Sequence, residues 1–100
     1  MLRASPPRET LARMLNNLRT IFTQKKQYDR ALRFVNLTIG LQPALAELYR
    51  DRGVLRLQQE DFGGALEDLE LYLRRTPAAQ DAPIIREHVQ LARKLLVRLN

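Results

Sequence analysis

The sequence contains no cysteine and a single histidine, His88. Without cysteine the chain has no disulfide, no thiolate nucleophile and no thiolate ligand for a metal. A lone histidine beside Glu87 forms no histidine cluster, and it is predicted to be a surface or packing residue. Glu67 and Glu70 share one face of a predicted helix and are interpreted as solubilising side chains. We therefore predict no catalytic residues, no metal and no cofactor, and a chain that is not an enzyme.

Long apolar runs are missing as well. No run approaches the roughly 18 residues that would cross a membrane, and the first residues lack the apolar core of a secretion signal. There is also no strand pattern, no Gly-rich loop and no low-complexity linker. These absences predict a cytoplasmic protein without a membrane span. The abrupt opening on Leu2-Arg3 leads us to expect a fragment of a larger protein.

Positive charge is plentiful but unevenly placed. The net charge is +6. Residues 1–35 contain eight basic and two acidic side chains, whereas residues 44–77 contain five arginines and seven acidic side chains. A basic end and an acidic middle favour oriented electrostatic docking or dimerisation over a uniform nucleic-acid surface.

Nucleic acid is the competing partner on charge grounds. Several basic side chains near the start could neutralise phosphates, namely Arg8, Arg19, Lys25, Lys26, Arg30 and Arg33. Only Phe22 and Tyr28 accompany them, and both occupy core-like positions. Since no stacking platform is predicted, nucleic acid is the less favoured partner.

Apolar residues at spacings of three and four predict five amphipathic helices. The first runs from the entry Ser5-Pro6-Pro7 to Gln24, and its apolar stripe is Leu11, Met14, Leu15, Leu18, Ile21 and Phe22. The others are predicted over residues 28–39, 45–59, 62–75 and 82–99. Because the connecting turns are short, neighbouring helices are expected to run antiparallel.

Several residues carry signals for helix ends. The Ser5 hydroxyl is predicted to cap the first helix, with the two following prolines in its first turn, and Asp61 and Asp81 to cap the fourth and fifth. Gly40 is predicted to end the second helix in a left-handed conformation. Gly53 lies inside the third helix, where glycine costs about 1 kcal/mol, so a close approach of another helix is expected there.

One pattern occurs twice. Tyr28, Ala31, Leu32 and Pro43 recur 34 residues later as Phe62, Ala65, Leu66 and Pro77. A repeat of this length indicates a supersecondary unit that must stack on a neighbour to bury its apolar face.

This register resembles the tetratricopeptide repeat (TPR), a pair of antiparallel helices whose units stack into a superhelix. The resemblance implies an all-α superhelical domain over residues 1–100, with repeats at about 12–45 and 46–79 and a capping helix at about 82–99. Leu15 and Tyr49 match the large residue of the family's first helix. Arg19 replaces its glycine and Arg52 its leucine, so the first unit is expected to be slightly splayed.

A narrower resemblance concerns residues 12–18, 49–53 and 65–69. These segments look like the C-terminal repeat segment of bacterial transglutaminase-like proteins of the SirB type. In that family the cysteine, histidine and aspartate expected to perform chemistry lie in a preceding domain, so no catalytic residue is carried over to this chain. The resemblance implies an accessory domain of a larger protein.

The TPR resemblance places a binding surface on the concave face, lined by the first helix of each unit. The implied partner-binding residues are Arg13, Asn16, Thr20, Gln24, Arg50, Val54, Gln58 and His88, with Ile84 and Leu91 beside His88. Asn16, Thr20 and Arg50 could hold an extended peptide by its backbone amides and a carboxylate. Two other interpretations stay open: these side chains are solvated or bridge packed helices, or Arg50 to Arg52 form a surface ion-pair network with Glu47.

The predicted function is therefore a non-catalytic scaffold for protein–protein interaction that binds a partner segment or its own N-terminal domain. The alternatives are a homodimerisation module, or part of an active site completed by a missing catalytic domain. Membrane association through the last helix is less favoured, because its apolar stripe is needed to cover the end of the stack.

Overall fold

The computed structural model describes residues 6–99 and consists of five α-helices. They are α1 (Arg8–Gln24), α2 (Tyr28–Leu41), α3 (Ala46–Gln58), α4 (Phe62–Arg75) and α5 (Ala82–Leu99). Residues 6–99 include no strand. The all-α prediction is confirmed, and the predicted helix limits agree closely with the observed ones.

The helices pack in the order of the chain: α1 on α2, α2 on α3, α3 on α4, and α4 on α5. The resulting stack is elongated, with principal dimensions of 58 × 29 × 20 Å. Its radius of gyration is 14.9 Å, compared with about 13 Å for a spherical domain of this length. This is the geometry of a stack in which each helix is held chiefly by its neighbours in sequence.

The two helical hairpins turn in the same way. Lys26 and Glu60 stand at equivalent positions of the repeat and both have positive φ, 60° and 61°. The Asp61 carboxylate accepts a hydrogen bond from the Gly64 N–H at 3.1 Å, which confirms its predicted capping role at the start of α4.

Two predictions about helix ends are wrong. α2 continues through Gly40 to Leu41, and no glycine of the described chain has positive φ. Pro43 explains the stop, since it lacks an N–H and forces Gln42 out of the helical region, to φ −135° and ψ 63°. α1 begins at Arg8, directly after Pro7, so the prolines precede the helix. The predicted cap Ser5 lies outside the described residues.

The core forms two clusters along the stack. Ala31 and Val35 of α2 pack with Leu55 of α3. The second cluster joins α3, α4 and α5 and consists of Ala46, Leu69, Tyr72, Ile85 and Val89. Ala31 and Ala65 are each 0% exposed, so the two equivalent alanines of the repeat occupy equivalent buried sites.

The close approach predicted at Gly53 is confirmed. A methyl group added there would lie 2.7 Å from Leu69 Cγ and Cδ2 and 3.2 Å from Asp68 Cβ. α3 and α4 can therefore pack at this distance only because residue 53 has no side chain.

Candidate partner-binding groove

A groove of about 470 Å³ lies between α1, the end of α2 and the start of α3. Its lining residues come from all three helices and the turn before α3: Glu9, Ala12, Arg13, Asn16, Arg19, Thr38, Gln42, Leu45, Glu47, Leu48, Arg50 and Asp51. α1 and α3 are the first helices of the two repeats, and the groove is the space that separates them.

The floor of the groove is apolar and its walls are polar. Ala12 and Leu48 are each 5% exposed, and Thr38 beside them donates its hydroxyl hydrogen to the Phe34 carbonyl oxygen at 2.8 Å. The walls carry side chains of both charges, including Arg13 and Glu47. A segment with its own backbone amides and at least one charged group would find donors, acceptors and an opposite charge here.

Arg19 crosses the space between α1 and α3. Its Nη2 donates to Asn16 Oδ1 at 2.6 Å and lies 3.6 Å from Asp51 Oδ2 on α3. Gly53 occupies the equivalent position in the second repeat. The glycine permits close packing of α3 on α4, while the arginine extends into the groove and helps to form its wall.

Arg50 is held by partners from the protein itself. Its Nε and Nη2 donate to Asp51 Oδ1 at 3.1 and 3.0 Å, and its Nη1 donates to Asp81 Oδ2 at 3.1 Å. Its guanidinium carbon lies 5.4 Å from the centre of the Tyr72 ring. The ion-pair interpretation of this residue is thus supported: within the described residues its partners are Asp51, which belonged to the predicted network, and Asp81, which did not.

Asp81 extends this network to α4 and the start of α5. Its Oδ1 accepts a hydrogen bond from the Tyr72 hydroxyl at 2.6 Å. That bond, with the bond from Arg50, lowers the pKa of Asp81. Burial and the bond to Asp81 raise the pKa of Tyr72. Burial opposes the charge on Arg50, but Asp51, Tyr72 and Asp81 together raise its pKa above the ordinary value.

A second charged cluster closes the interface between α3 and α4. Arg52 donates two hydrogen bonds to the buried Asp68 carboxylate, at 2.8 and 2.9 Å, and Arg56 donates a third at 2.9 Å. Arg52 also donates to Asn36 Oδ1 of α2 at 2.9 Å. The bond to Asp68 is the main reason why the pKa of Arg52 is raised. The arginine that departs from the family's leucine therefore has a structural role.

The groove brings together three of the predicted site residues, Arg13, Asn16 and Arg50. Thr20 and Gln24 lie farther along α1, and the Thr20 hydroxyl donates to the Asn16 carbonyl oxygen at 3.0 Å. Of the predicted residues elsewhere, Val54 packs on the core, Gln58 is exposed, and His88 is half-buried on α5 between the exposed Ile84 and Leu91.

Sequence reasoning missed the groove residues that come from α2 and the turn after it, and also Glu9, Ala12 and Arg19 of α1. Thr38 and Gln42 were not predicted, because the resemblance assigned the surface to the first helices alone. Arg19 did carry a signal, since a long side chain at the family's glycine position has to occupy space between helices.

Metal binding and membrane insertion find no support in the described part of the chain. Residues 6–99 contain no group of three or more histidine, aspartate or glutamate side chains placed to hold a metal ion. None of the five helices is long and apolar enough to cross a membrane.

Two similar helical hairpins and a further helix, in phase along the chain, define a helical-hairpin repeat protein. The family model of the tetratricopeptide repeat matches residues 18–90, and the chain belongs to this family. Domains of this family are generally modules for protein–protein interaction and are typically non-catalytic.

Two relatives extend the comparison. The chain is 35% identical over 89 residues to the UPF0162 protein of Xylella fastidiosa strain Temecula1 / ATCC 700964, and 34% identical over 89 residues to that of strain 9a5c. Each match covers 89% of this chain and 32% of the relative, so the chain spans about a third of their length. No solved structure matches the chain. The resemblance to SirB-type proteins stays a prediction.

Proposed function

We propose that this domain is a non-catalytic scaffold that binds a polypeptide segment in the groove between α1 and α3. The observation that carries the proposal is the convergence of Arg13, Asn16 and Arg50 on one groove with a buried apolar floor. Arg13 is exposed and can pair with a carboxylate of the segment, and the Asn16 amide can bond its backbone.

Arg50 contributes to the groove chiefly through its fixed position. Its hydrogen bonds to Asp51 and Asp81 hold the guanidinium at the groove wall, so its remaining N–H donors can bond a segment without the cost of ordering a free side chain. The proposed surface continues from the groove along the predicted concave face to Thr20, Gln24, Val54, Gln58 and His88.

We further propose that the domain is the accessory part of a larger bacterial, cytoplasmic, transglutaminase-like protein and that the bound segment belongs to the remainder of that protein. Three observations support this. Residues 12–18, 49–53 and 65–69 resemble SirB-type repeats. The two relatives are bacterial, and the chain spans only about one third of their length.

The experiment uses the Xylella fastidiosa UPF0162 protein from which the segment matched by this chain has been deleted. Calorimetric titration of this remainder with the chain is expected to show saturable binding, which R13A/N16A weakens by about tenfold. The control is R33A/N17A, which removes the same side-chain types from exposed positions outside the groove. If R13A/N16A bound as tightly as the unmodified chain, the proposal that the segment binds in the groove would be contradicted. If the unmodified chain did not bind, the proposal that the segment belongs to the remainder of the same protein would be contradicted.

Two further measurements separate the alternatives. A homodimerisation module would show a molecular mass that rises with concentration in sedimentation, and the separation of basic and acidic regions along the chain is the feature that favours it. A contribution to an active site would make amide hydrolysis or transfer by the remainder depend on added chain. The scaffold proposal expects a concentration-independent mass and no activity of the chain alone.

A further inference from the structure

The outer face of α1 exposes an apolar stripe. Met14 is 52% exposed, Leu18 37% and Ile21 44%. Their spacings of four and three residues place the three side chains on one face of the helix. Isolated exposed apolar residues are ordinary, but three on one helical face form a continuous surface.

The 34-residue repeat allows the exposure of equivalent residues to be compared between α1, α3 and α5. Met14 and Ile21 correspond to Leu48 and Leu55 of α3, which are only 5% and 2% exposed. One repeat further on, the corresponding residues of α5 are Ala82 and Val89, which are 1% and 6% exposed. The positions of Met14 and Ile21 are therefore buried in α3 and α5 and open in α1, whereas the position of Leu18 is taken by Arg52 in α3 and by the exposed Arg86 in α5.

In both cases the second helix of the preceding hairpin packs on the later of the two positions, which is Leu55 in α3 and Val89 in α5. Leu55 packs in one cluster with Ala31 and Val35 of α2. Val89 packs in one cluster with Leu69 of α4. Within residues 6–99, no helix stands in this relation to α1. The surface that would complete the pattern is a helix that presents a small residue followed, four positions later, by a branched aliphatic one.

The charge of the side chains near the stripe indicates which kind of helix would bind there. Residues 8–36 carry seven basic and two acidic side chains, a net charge of +5, but Arg13 and Arg19 line the groove, and Arg19 lies 3.6 Å from Asp51. The positive charge that counts for the stripe is therefore that of Lys25 and Arg30. Lys25 follows Ile21 by four residues and so continues the line of the stripe. The guanidinium carbon of Arg30 lies 5.6 Å from the centre of the Phe22 ring, beside the C-terminal half of α1. A second copy of α1 would bring like charges together, whereas an acidic helix would be attracted.

We propose that the stripe formed by Met14, Leu18 and Ile21 is a second docking surface, which binds an acidic amphipathic helix of a partner protein in the way that α2 covers α3. This surface lies on the outside of α1 and is distinct from the groove between α1 and α3.

The probe is a synthetic helix built on the sequence of α2, which already has the required apolar pattern. It comprises residues 27–42, with a hydrocarbon staple replacing the exposed Arg33 and Leu37 and with R30E to make it acidic. The staple lies away from Ala31 and Val35 and fixes the helix, so weak binding cannot be attributed to an unfolded peptide. A second peptide that keeps Arg30 serves as the charge control.

Fluorescence anisotropy with the full chain is expected to show saturable binding of the acidic peptide, at least about tenfold tighter than that of the Arg30 peptide at low salt. The variant L18Q/I21Q is expected to weaken binding by about tenfold or more, because two apolar contacts are lost. The control V97Q/L99Q alters two more exposed apolar residues at the end of α5 and should leave the affinity unchanged.

Four results would overturn the proposal. The first is the absence of saturable binding, and the second is equal loss of affinity in L18Q/I21Q and V97Q/L99Q. The third is self-association of the chain that L18Q/I21Q abolishes, which would make a second copy the occupant. The fourth is binding to phosphatidylserine vesicles that L18Q/I21Q abolishes while the peptide does not bind, which would make the stripe a lipid-binding surface.

Discussion

Asp68 is the buried acidic side chain of the interface between α3 and α4, 3% exposed and bonded to Arg52 and Arg56. D68N removes the negative charge that the two arginines share and replaces one acceptor oxygen by an amide donor, so it is expected to lower the free energy of unfolding by about 3 kcal/mol. Urea denaturation followed by circular dichroism measures this loss. The control E67Q changes an exposed neighbour and should stay within about 0.5 kcal/mol of the parent. An equal effect of the two substitutions would show that the ion pairs contribute nothing.

Gly53 and Gly40 give a matched pair of glycines inside helices. G40A is expected to raise the free energy of unfolding by about 0.5–1 kcal/mol, because alanine is the better helix former and nothing lies within 4 Å of its methyl group. G53A gains the same propensity but places its methyl group 2.7 Å from the buried Leu69, so a net loss of about 1–2 kcal/mol is expected. Thermal unfolding of both variants checks the opposite signs. Stabilisation by G53A would mean that Leu69 moves aside freely.

Gly53 and Gly40 also show how much of the local structure a single residue in the sequence can predict. A glycine inside a strong helical pattern predicts a close approach, and Gly53 has one. Gly40 has an equally plausible signal for a helix end, but Pro43 three residues later determines the stop. The pairing of Arg50 with Asp81 carries no local signal, because 31 residues separate the partners and only the packed structure brings them together.

At the scale of helices, the Tyr72–Asp81–Arg50 network ties α4, the start of α5 and α3 together. Because the folded-state pKa of Asp81 is lowered, chiefly by the bond from Tyr72, the network's contribution is complete above the unfolded pKa of about 4. It is lost as the pH falls through the lower folded-state pKa. Y72F is therefore expected to cost about 1 kcal/mol at neutral pH and less in strong acid, as measured by denaturation across the acid range.

Tyr49 provides the control for this pH dependence. Its hydroxyl donates to the Pro43 carbonyl oxygen at 2.8 Å, an acceptor that does not titrate. The cost of Y49F should accordingly stay constant over the same acid range. A constant cost for Y72F as well would contradict the link between Tyr72 and the ionisation of Asp81.

The candidate groove could be predicted only in part when the helices were considered one at a time. The register correctly assigns residues to first and second helices, and this is sufficient to place Arg13, Asn16 and Arg50 near one another. The repeat register does not predict how wide the space between α1 and α3 is. That width depends on the long side chain of Arg19 in the first repeat and on the absence of a side chain at Gly53 in the second. The contributions of Thr38 and Gln42 depend on that space, so only the three-dimensional structure identifies them.

At the scale of the whole molecule, stability is distributed along a nearly one-dimensional stack. Each helix packs on the next, and contacts between helices distant in sequence are few. In such a stack the loss of a terminal element uncovers the adjacent one and no other. At one end α1 exposes its stripe, and at the other α5 covers the second core cluster with one face and exposes Ile84 and Leu91 on another.

Truncation tests this organisation. A chain that ends at Asp81 loses the buried residues of α5, including Ile85 and Val89, and uncovers Leu69 and Tyr72 on α4. The expected loss is about 5 kcal/mol, which is close to the whole stability of a small domain. Circular dichroism should show little cooperative unfolding, and hydrogen exchange should show the greatest loss of protection in α4, with α1 and α2 less affected.

The control truncation ends at Leu96 and removes the exposed Val97 and Leu99. Since these side chains are 74% and 69% exposed, the free energy of unfolding should change by about 0.5 kcal/mol or less. If the chain ending at Asp81 unfolded as cooperatively as the control, α5 would not be the cap of the stack. If it lost protection equally in every helix, the molecule would fold as one unit, and the description of its stability as distributed along a one-dimensional stack would be refuted.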